Sequence, residues 1–376
     1  MLLFILPFPH TVALRLLCLF ASFILALVLW RRLEPPPLPI KLPILLWILV
    51  VLWSLAAAVD FRYSIREVQN ELGYTLLAFT ALFVLSRDEG SLRGLCLSVT
   101  AAFLFIAGAA LADYAWHGAW GAWGFYGGVG AISNYLVTAA PVVALAAWLW
   151  RPSHTGKWLA AATVVYLSVA LIAQQRALWP ALAAQALVGF AWLWGTGKFS
   201  WSMRRSIAAL FVVLGMLLAG LLASEQLRTG NNPPASMFKD SRPRFWLDVA
   251  AKIAEHPLVG AGFGQRALVK AYPELVPPEN TLLWHAHNLV LNYGIYAGIP
   301  GIVAVLTLFA ALFWRFWRLA LDSGDPVRRL AGLAGAVMVA GVFVRNIFND
   351  FFIRDGAILF WALAGMLLGY ALRRVP

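Results

Sequence analysis

The sequence predicts an all-α polytopic membrane protein: a bundle of about 11 or 12 transmembrane helices with one long polar loop that contains short helices. Of its 376 residues, 62% are hydrophobic and 12% are charged, whereas a soluble chain of this length needs a larger polar share to cover its surface. Apolar runs of about 20 residues, enough to cross a hydrocarbon core of roughly 30 Å, recur along the chain. Both cysteines, Cys18 and Cys96, lie inside apolar runs, so neither a disulfide framework nor a cysteine metal site is indicated.

About eleven apolar runs meet the length needed to span a membrane. The run near the N-terminus has no basic segment before it and no small-residue cleavage site before Arg31, which indicates a retained span and not a signal peptide. The stretch Met1 to Pro9 is the stub of a twelfth span, broken by Pro7 and Pro9, if a twelfth exists. The eleven runs lie near residues 11–30, 40–58, 70–86, 92–112, 131–149, 157–174, 177–194, 205–223, 296–314, 329–346 and 356–372.

Basic residues are concentrated in alternate short loops, which predicts the orientation of the bundle. Cytoplasmic loops carry the excess of Lys and Arg, and long loops do not count in this rule. The C-terminus is therefore expected in the cytoplasm and the long loop outside it, and the net charge of +12 reflects membrane orientation and not nucleic-acid binding. Three segments follow: helices over 1–223, the loop over 224–287 and helices over 288–376. The basic residues that set the orientation include Arg31, Arg32, Arg204, Arg205, Arg328 and Arg329.

The long loop contains its own structural signals. Residues 244–256 place apolar and charged side chains on opposite faces of a helix, which predicts a short amphipathic helix lying on the membrane surface. Pro257 ends that helix, and the run Gly260 to Gly264 predicts a turn, because it lacks the GxGxxG spacing of a nucleotide site. Beyond the loop, glycines and Pro300 within residues 294–301 predict a break between a half-buried helix and the next span.

The densest polar cluster is the run His-Ala-His-Asn at 285–288, where the loop re-enters the membrane. On a turn, His285 and His287 share one face. They then serve as a base and its support, as caps for the re-entrant backbone, or as two ligands of a metal. The metal interpretation is the weakest, because the nearest acids, Glu274 and Glu279, stand across a proline-rich turn.

Three arginines on the loop side are candidates for binding phosphate, since a guanidinium near lipid is costly unless it is paired. Arg176 lies in a very short turn with no acidic neighbour in sequence, and Arg242 opens the amphipathic helix. Arg345 lies near the last turn on that side, where Asp350 is an alternative partner. Polar residues are sparse in the middle of the spans, and this asymmetry favours an enzyme acting on a membrane-anchored substrate over a transporter.

Four motifs in this order resemble the O-antigen ligase and polymerase superfamily. They are the run Arg242–Trp246, the run His256–Gly264, the run His285–Asn288 and the break Gly294–Gly301. The resemblance covers the whole topology and is specific mainly over residues 240–301. It implies a type C-like membrane glycosyltransferase fold, commonly with twelve spans, so the count near the N-terminus departs from the family pattern.

The resemblance also implies an activity: transfer of O-antigen glycan from undecaprenyl diphosphate to lipid A-core oligosaccharide, with inversion and without a metal or other cofactor. By that resemblance His287 activates the acceptor hydroxyl with His285 in support, and Arg176, Arg242 and Arg345 hold the donor diphosphate. The implied location is the bacterial inner membrane, with the site facing the periplasm. An O-antigen polymerase and a protein O-oligosaccharyltransferase use the same donor and stay open as alternatives, as does a flippase of lipid-linked sugars.

Overall fold

The computed structural model describes residues 1–8, 10–118, 128–150, 154–197, 203–229, 241–276, 283–322, 324–350 and 352–373. These residues are almost entirely helical, which confirms the predicted all-α polytopic fold. The helices, in chain order, are α1 Leu2–Ile5, α2 Val12–Leu33, α3 Lys41–Trp53, α4 Phe61–Val68, α5 Tyr74–Leu85, α6 Glu89–His117, α7 Val129–Trp150, α8 Thr155–Ala173, α9 Leu178–Gly195, α10 Met203–Thr229, α11 Arg242–Glu255, α12 Ala267–Ala271, α13 Leu289–Asp322, α14 Pro326–Phe348 and α15 Arg354–Ala371.

The predicted spans correspond to long helices, and nine helical stretches in the described residues are long and apolar enough to cross a membrane. Two more predicted spans fall on α15 and on α3 with the 3-10 turn Ser54–Ala57 that follows it. Two helices are longer than expected. The helix predicted from residue 70 begins at Phe61, where the side chain of Asp60 caps it, and runs through a π-helical segment, Gln69–Gly73. The helix predicted to end at residue 223 continues to Thr229.

The most deeply buried helix is α15, in which every residue from Ala357 to Ala371 is buried. It packs closely on α5. A Cβ atom on Gly365 or Gly369 would lie 2.3 or 2.2 Å from the backbone oxygens of Phe79 and Phe83. Two glycines four residues apart on one face therefore let the two backbones approach, as small residues do in membrane bundles.

Helix α13 is broken where the sequence predicts it, at Ala297 and Gly298, whose backbone angles are non-helical. The break leaves carbonyl groups without hydrogen-bond partners in the helix. Backbone N–H groups of the long loop donate the missing hydrogen bonds. Ala261 N donates to Ile295 O at 2.7 Å, and Gly262 N donates to Tyr296 O at 3.2 Å. On the other side of the break, Ile299 N donates to the carbonyl of Pro257 at 2.7 Å. The glycine turn and the helix break, far apart in sequence, thus form one structure.

The amphipathic helix α11 does not lie with its apolar face toward lipid, and the prediction of a surface-bound helix is wrong in this respect. Phe245, Val249 and Ile253 are buried, and a Cβ atom on Gly294 of α13 would lie 2.5 Å from the tip of Ile253. The apolar face therefore packs against the protein, because the first turns of α13 offer it an apolar partner next to the glycine.

Candidate functional site

The two histidines form a tight turn immediately before α13. The ring centroids of His285 and His287 are 3.8 Å apart, so the expectation that a turn brings them together is confirmed. His287 has a positive φ of 51°, a conformation that is strained for a residue other than glycine and that clusters at functional sites. Asn288, the fourth residue of the run, accepts hydrogen bonds from Val290 N and Leu291 N. It therefore caps α13 and fixes the turn to a rigid helix.

His287 is the accessible member of the pair, being half-buried, whereas His285 is only 4% exposed. The Nδ1 atom of His287 lies 2.9 Å from Asn349 Oδ1. An amide oxygen only accepts hydrogen bonds, so in the neutral ring Nδ1 carries the proton and Nε2 keeps its lone pair. The imidazole is thereby held in the tautomer that a general base requires.

His285 holds the backbone of His287 in place through a hydrogen bond. Its Nδ1 accepts a hydrogen bond from His287 N at 3.2 Å and lies 3.5 Å from Asn292 Nδ2. Burial, together with the positive charge of nearby His287 and Arg242, holds the pKa of His285 well below its ordinary value. The ring is therefore neutral at neutral pH, and its Nδ1 lone pair stays available to the backbone of His287.

Asp350 is a buried carboxylate next to the histidines, and the sequence indicated it only as a partner for Arg345. Its Oδ2 accepts a hydrogen bond from Asn292 Nδ2 at 2.5 Å, and its Oδ1 accepts one from Phe352 N at 3.0 Å. Burial raises the pKa of Asp350, while these hydrogen bonds, one from Gln265 and the charge of His287 act in the opposite direction. Asn292 thus joins His285 to an acidic group that lies within electrostatic reach of His287.

Arg242, the second predicted phosphate-binding residue, lies near the histidine turn. It is half-buried at the start of α11, and its Nη1 donates to Phe348 O at 2.8 Å. On the same helix, Trp246 Nε1 donates to Ala286 O at 2.8 Å. Helix α11 is therefore fixed both to the histidine turn and to the end of α14, and it brings a guanidinium close to His285.

Arg345 belongs to the same network but is not exposed to substrate in this structure, since it is 0% exposed. Its Nε donates to Ser133 Oγ at 2.9 Å, its Nη2 donates to Gly130 O at 3.0 Å, and its Nη1 donates to the carbonyl of Asn349. The Arg345 guanidinium holds Asn349, which in turn orients His287. Arg345 therefore contributes to the site by positioning other residues. This arrangement differs from the direct diphosphate contact expected for Arg345.

Arg176 has an acidic partner that its sequence neighbourhood does not contain. Glu225, 1% exposed on α10, accepts from Arg176 at 2.7 and 2.5 Å and also from Arg228. Two guanidinium groups therefore converge on one buried carboxylate at this end of the bundle. The sequence missed the pair because α10 was expected to end before Glu225.

The position of Arg176 relative to Arg345 follows from helix packing. The side chain of Gln185 on α9 contacts Gly341 on the antiparallel α14. Arg176 precedes Gln185 by nine residues and Arg345 follows Gly341 by four. The two arginines therefore lie on the same side of this contact, toward the same end of the two helices.

The family comparison covers the part of this site that precedes α14. Residues 133–306 match the family described as O-antigen ligase. The chain carries an O-antigen ligase family domain. No curated protein sequence matches the chain.

The O-antigen ligase family domain begins at Ser133, the residue that binds the Arg345 guanidinium, and ends just beyond the break in α13. It includes Arg176, Arg242 and both histidines. The chain therefore has an O-antigen ligase- or polymerase-like function, which acts on lipid-linked glycans.

Part of the site lies beyond the O-antigen ligase family domain, at the end of α14. Asn349 and Asp350 belong to this part, and sequence reasoning assigned neither a functional role. The signal that points to them is an Asn-Asp pair directly after a helix whose last turn contains Arg345 and Asn346. Within the described ranges, no group of three His, Cys, Asp or Glu side chains is placed to hold a metal ion.

Proposed function

We propose that the chain is an inverting, metal-independent glycosyltransferase that moves O-antigen glycan from undecaprenyl diphosphate to lipid A-core oligosaccharide at the periplasmic face of the inner membrane. The single observation that carries this proposal is the geometry of His287. It is the accessible histidine of the pair, and the 2.9 Å contact from Nδ1 to Asn349 Oδ1 puts the ring proton on Nδ1, so that Nε2 carries the lone pair that a general base uses. It also lies within the O-antigen ligase family domain.

The proposed reaction is a single displacement. Nε2 of His287 removes the proton from the acceptor hydroxyl as that oxygen attacks the anomeric carbon. The bond between the anomeric carbon and the diphosphate oxygen breaks, and the electron pair leaves with undecaprenyl diphosphate. Asp350 stabilises the imidazolium that forms, since it lies within electrostatic reach of His287.

The arginines act on the donor. Arg242, half-buried beside the histidines, offsets the negative charge that develops on the leaving diphosphate. Arg176, which shares Glu225 with Arg228, is the second guanidinium that we assign to the donor diphosphate. Arg345 is a positioning residue in this proposal, because its guanidinium is fully buried and holds the carbonyl of Asn349.

The test is a transfer assay with purified protein in nanodiscs, undecaprenyl-diphosphate glycan as donor and lipid A-core as acceptor. We expect His287→Ala to lower the transfer rate by about a hundredfold to ten-thousandfold, the usual contribution of a general base. Arg242→Ala should lower it about tenfold or more, because a charge-assisted contact is lost. The matched control is Arg244→Ala, an exposed arginine on the same helix, which should transfer at close to the parent rate.

The same assay separates the alternatives. Full transfer by His287→Ala contradicts the general-base role, and loss of transfer with a chelator contradicts metal independence. Transfer to a second donor molecule in place of lipid A-core identifies a polymerase, and transfer to a protein identifies an oligosaccharyltransferase. Movement of the donor across the bilayer without transfer to any acceptor identifies a flippase.

A further inference from the structure

A second polar cleft lies on the loop side of the bundle, away from the histidine turn. Its volume is about 530 Å³, within the range of ligand-binding pockets and larger than a phosphate group alone requires. Its walls come from α2, α4, the π-helical segment, α15 and the residue just before α12. The residues used below are Arg15, Leu16, Leu19, Arg66, Glu67, Asn70, Tyr74, Arg266, Arg354 and Asp355.

The cleft is cationic on one side and apolar on the other. Four arginines line it against two carboxylates, Glu67 and Asp355. The carboxylates are engaged, Asp355 by Arg15 and Glu67 by a 3.5 Å contact from Arg354. The guanidinium groups of Arg66 and Arg266 are exposed and take part in no ion pair among the described residues. They are therefore available to an anion.

A buried donor marks the floor of the cleft. Arg15 is 7% exposed in the first turn of α2. Its Nη1 is engaged by Asp355 and Leu6 O, but its buried Nε has no hydrogen-bond partner in the described chain. An arginine buried in a membrane helix is costly and points to a functional site, and here it lines the same cleft as the exposed arginines.

Irregular backbone surrounds the same cleft. The π-helical segment Gln69–Gly73 places Asn70 on the lining and is followed directly by Tyr74, a second lining residue. Such segments are frequent at functional sites. On the facing wall Arg354 has a positive φ of 43°, which is strained for a side chain of this size. Two local irregularities thus shape a single cleft.

The apolar wall belongs to an outward-facing helix. Leu16 and Leu19 of α2 line the cleft. Along the Leu16 face of the same helix, at i+4, i+11 and i+14, Phe20, Leu27 and Trp30 are 43%, 51% and 43% exposed. In a membrane protein such side chains contact acyl chains. The cleft therefore continues into a surface that a lipid tail can follow.

We propose that this cleft binds the phosphate headgroup of a lipid whose acyl chains lie along α2. The phosphate sits between Arg66, Arg266 and Arg354, since guanidinium groups bind phosphate oxygens through paired hydrogen bonds. The site is distinct from the histidine turn and does not depend on the proposed transfer reaction. It is separated from that turn by the chain at residues 264–266, where Gln265 Nε2 donates to Asp350 O at 3.2 Å and Arg266 faces the cleft.

The test is lipid binding by native mass spectrometry of the full-length protein in neutral detergent. The probes are dioleoyl phosphatidic acid, dioleoylglycerol as the same lipid without phosphate, and inorganic phosphate. We compare Arg66→Ala/Arg266→Ala with a double control, Arg62→Ala/Arg244→Ala, which removes two exposed arginines from the same side but outside the cleft. We expect the cleft variant to bind phosphatidic acid about tenfold more weakly or worse, and the control to bind it within about twofold of the parent protein.

Other results overturn the proposal. Equal loss in both double variants means that general charge, and not this cleft, attracts the lipid. Equal binding of dioleoylglycerol removes the role of the phosphate, and equally tight binding of inorganic phosphate removes the role of the acyl chains. Arg66→Lys/Arg266→Lys guards against misfolding: with an unchanged thermal midpoint, it should regain part of the binding that the alanine variant loses.

Discussion

His285 can hold His287 in place only while its own ring is neutral. Protonation of Nδ1 removes the lone pair that accepts the hydrogen bond from His287 N. The pKa of His285 is held well below its ordinary value by burial and by the charge of His287 and Arg242. The support therefore persists at neutral pH and fails in acid.

This yields a prediction for pH dependence. The unfolded chain holds His285 at its ordinary pKa of about 6.5, so below that pH the unfolded state binds more protons at this residue than the folded state does. The contribution of His285 to stability is complete above that pH and is lost as the pH falls through the lower, folded value. Thermal unfolding in detergent should show the midpoint falling below pH 6.5. His285→Gln, which accepts the same hydrogen bond without titrating, should flatten this fall, and an unchanged acid slope would contradict the assignment.

A second residue-scale prediction concerns Asp350. Asp350→Asn keeps the side-chain volume but removes the charge that stabilises the imidazolium on His287. Because that charge acts in the transition state, kcat should fall about tenfold to a hundredfold while KM changes little. Steady-state transfer kinetics measure both constants, and Asp248→Asn, an exposed acid on α11, is the matched control. A raised KM with an unchanged kcat would assign Asp350 to substrate binding instead.

The histidine run was visible in the sequence because its residues are adjacent, and a turn forces two such rings together. Asn292 and Asn349 were not visible, because their roles depend on a contact between α13 and the end of α14. The partner of Arg176 could not be predicted from the sequence for the same reason. Its partner Glu225 lies 49 residues away, and only the packing of α9 on α10 brings the two together.

At the scale of elements, the break in α13 is stabilised by the long loop that packs against it. Gly298 has a positive φ of 66°, and a Cβ atom there would lie 2.2 Å from Pro257 O. Gly260, with the same φ, faces the backbone of Ile295 to Ala297. The sequence predicted both the break and the turn from glycine and proline positions. That they join each other is a tertiary contact, which local propensity does not encode.

We therefore expect Gly298→Ala to be strongly destabilising. The substitution places a methyl group against Pro257 O and adds left-handed strain of about 1–3 kcal/mol. The thermal midpoint in detergent should fall, and transfer activity should fall with it, because the loop leaves the histidine turn. Gly215→Ala is the matched control, since a Cβ atom at that helical glycine of α10 meets nothing within 4 Å. Equal thermal midpoints for the two variants would contradict the close contact between Gly298 of α13 and Pro257 of the loop.

At the scale of the whole molecule, the number and approximate extent of the spans could be predicted, because each must bury a long apolar run in lipid. The start of the helix at Phe61 was not predicted. Its first turns contain the charged residues Arg62, Arg66 and Glu67, and such a charged stretch is typical of a loop. In the structure Glu67 is buried in contact with Arg354. Tertiary pairing thus overrides the local polarity that placed the boundary near residue 70.

The predicted orientation is tested by cysteine labelling in intact cells, in a background in which Cys18 and Cys96 are alanine. Leu247→Cys, at a position on α11 that is 72% exposed, should react with a membrane-impermeant maleimide that has crossed only the outer membrane. Gly324→Cys, between α13 and α14, should react only after lysis, because the basic residues beside it place it in the cytoplasm. The reverse pattern would invert the topology and move the histidine turn to the cytoplasmic side.

Gln265 and Arg266 are joined by one peptide bond, yet one side chain reaches Asp350 and the other lines the cleft. This segment therefore borders both the histidine site and the cleft. A lipid that draws Arg266 toward its phosphate shifts the group that holds the carbonyl of Asp350, and a substrate that shifts Asp350 moves Arg266. Linkage requires the effect to be reciprocal: whatever factor lipid binding applies to substrate affinity, substrate binding applies to lipid affinity. With a lipid bound as we propose, the composition of the surrounding bilayer would be a means of setting the occupancy of the histidine site.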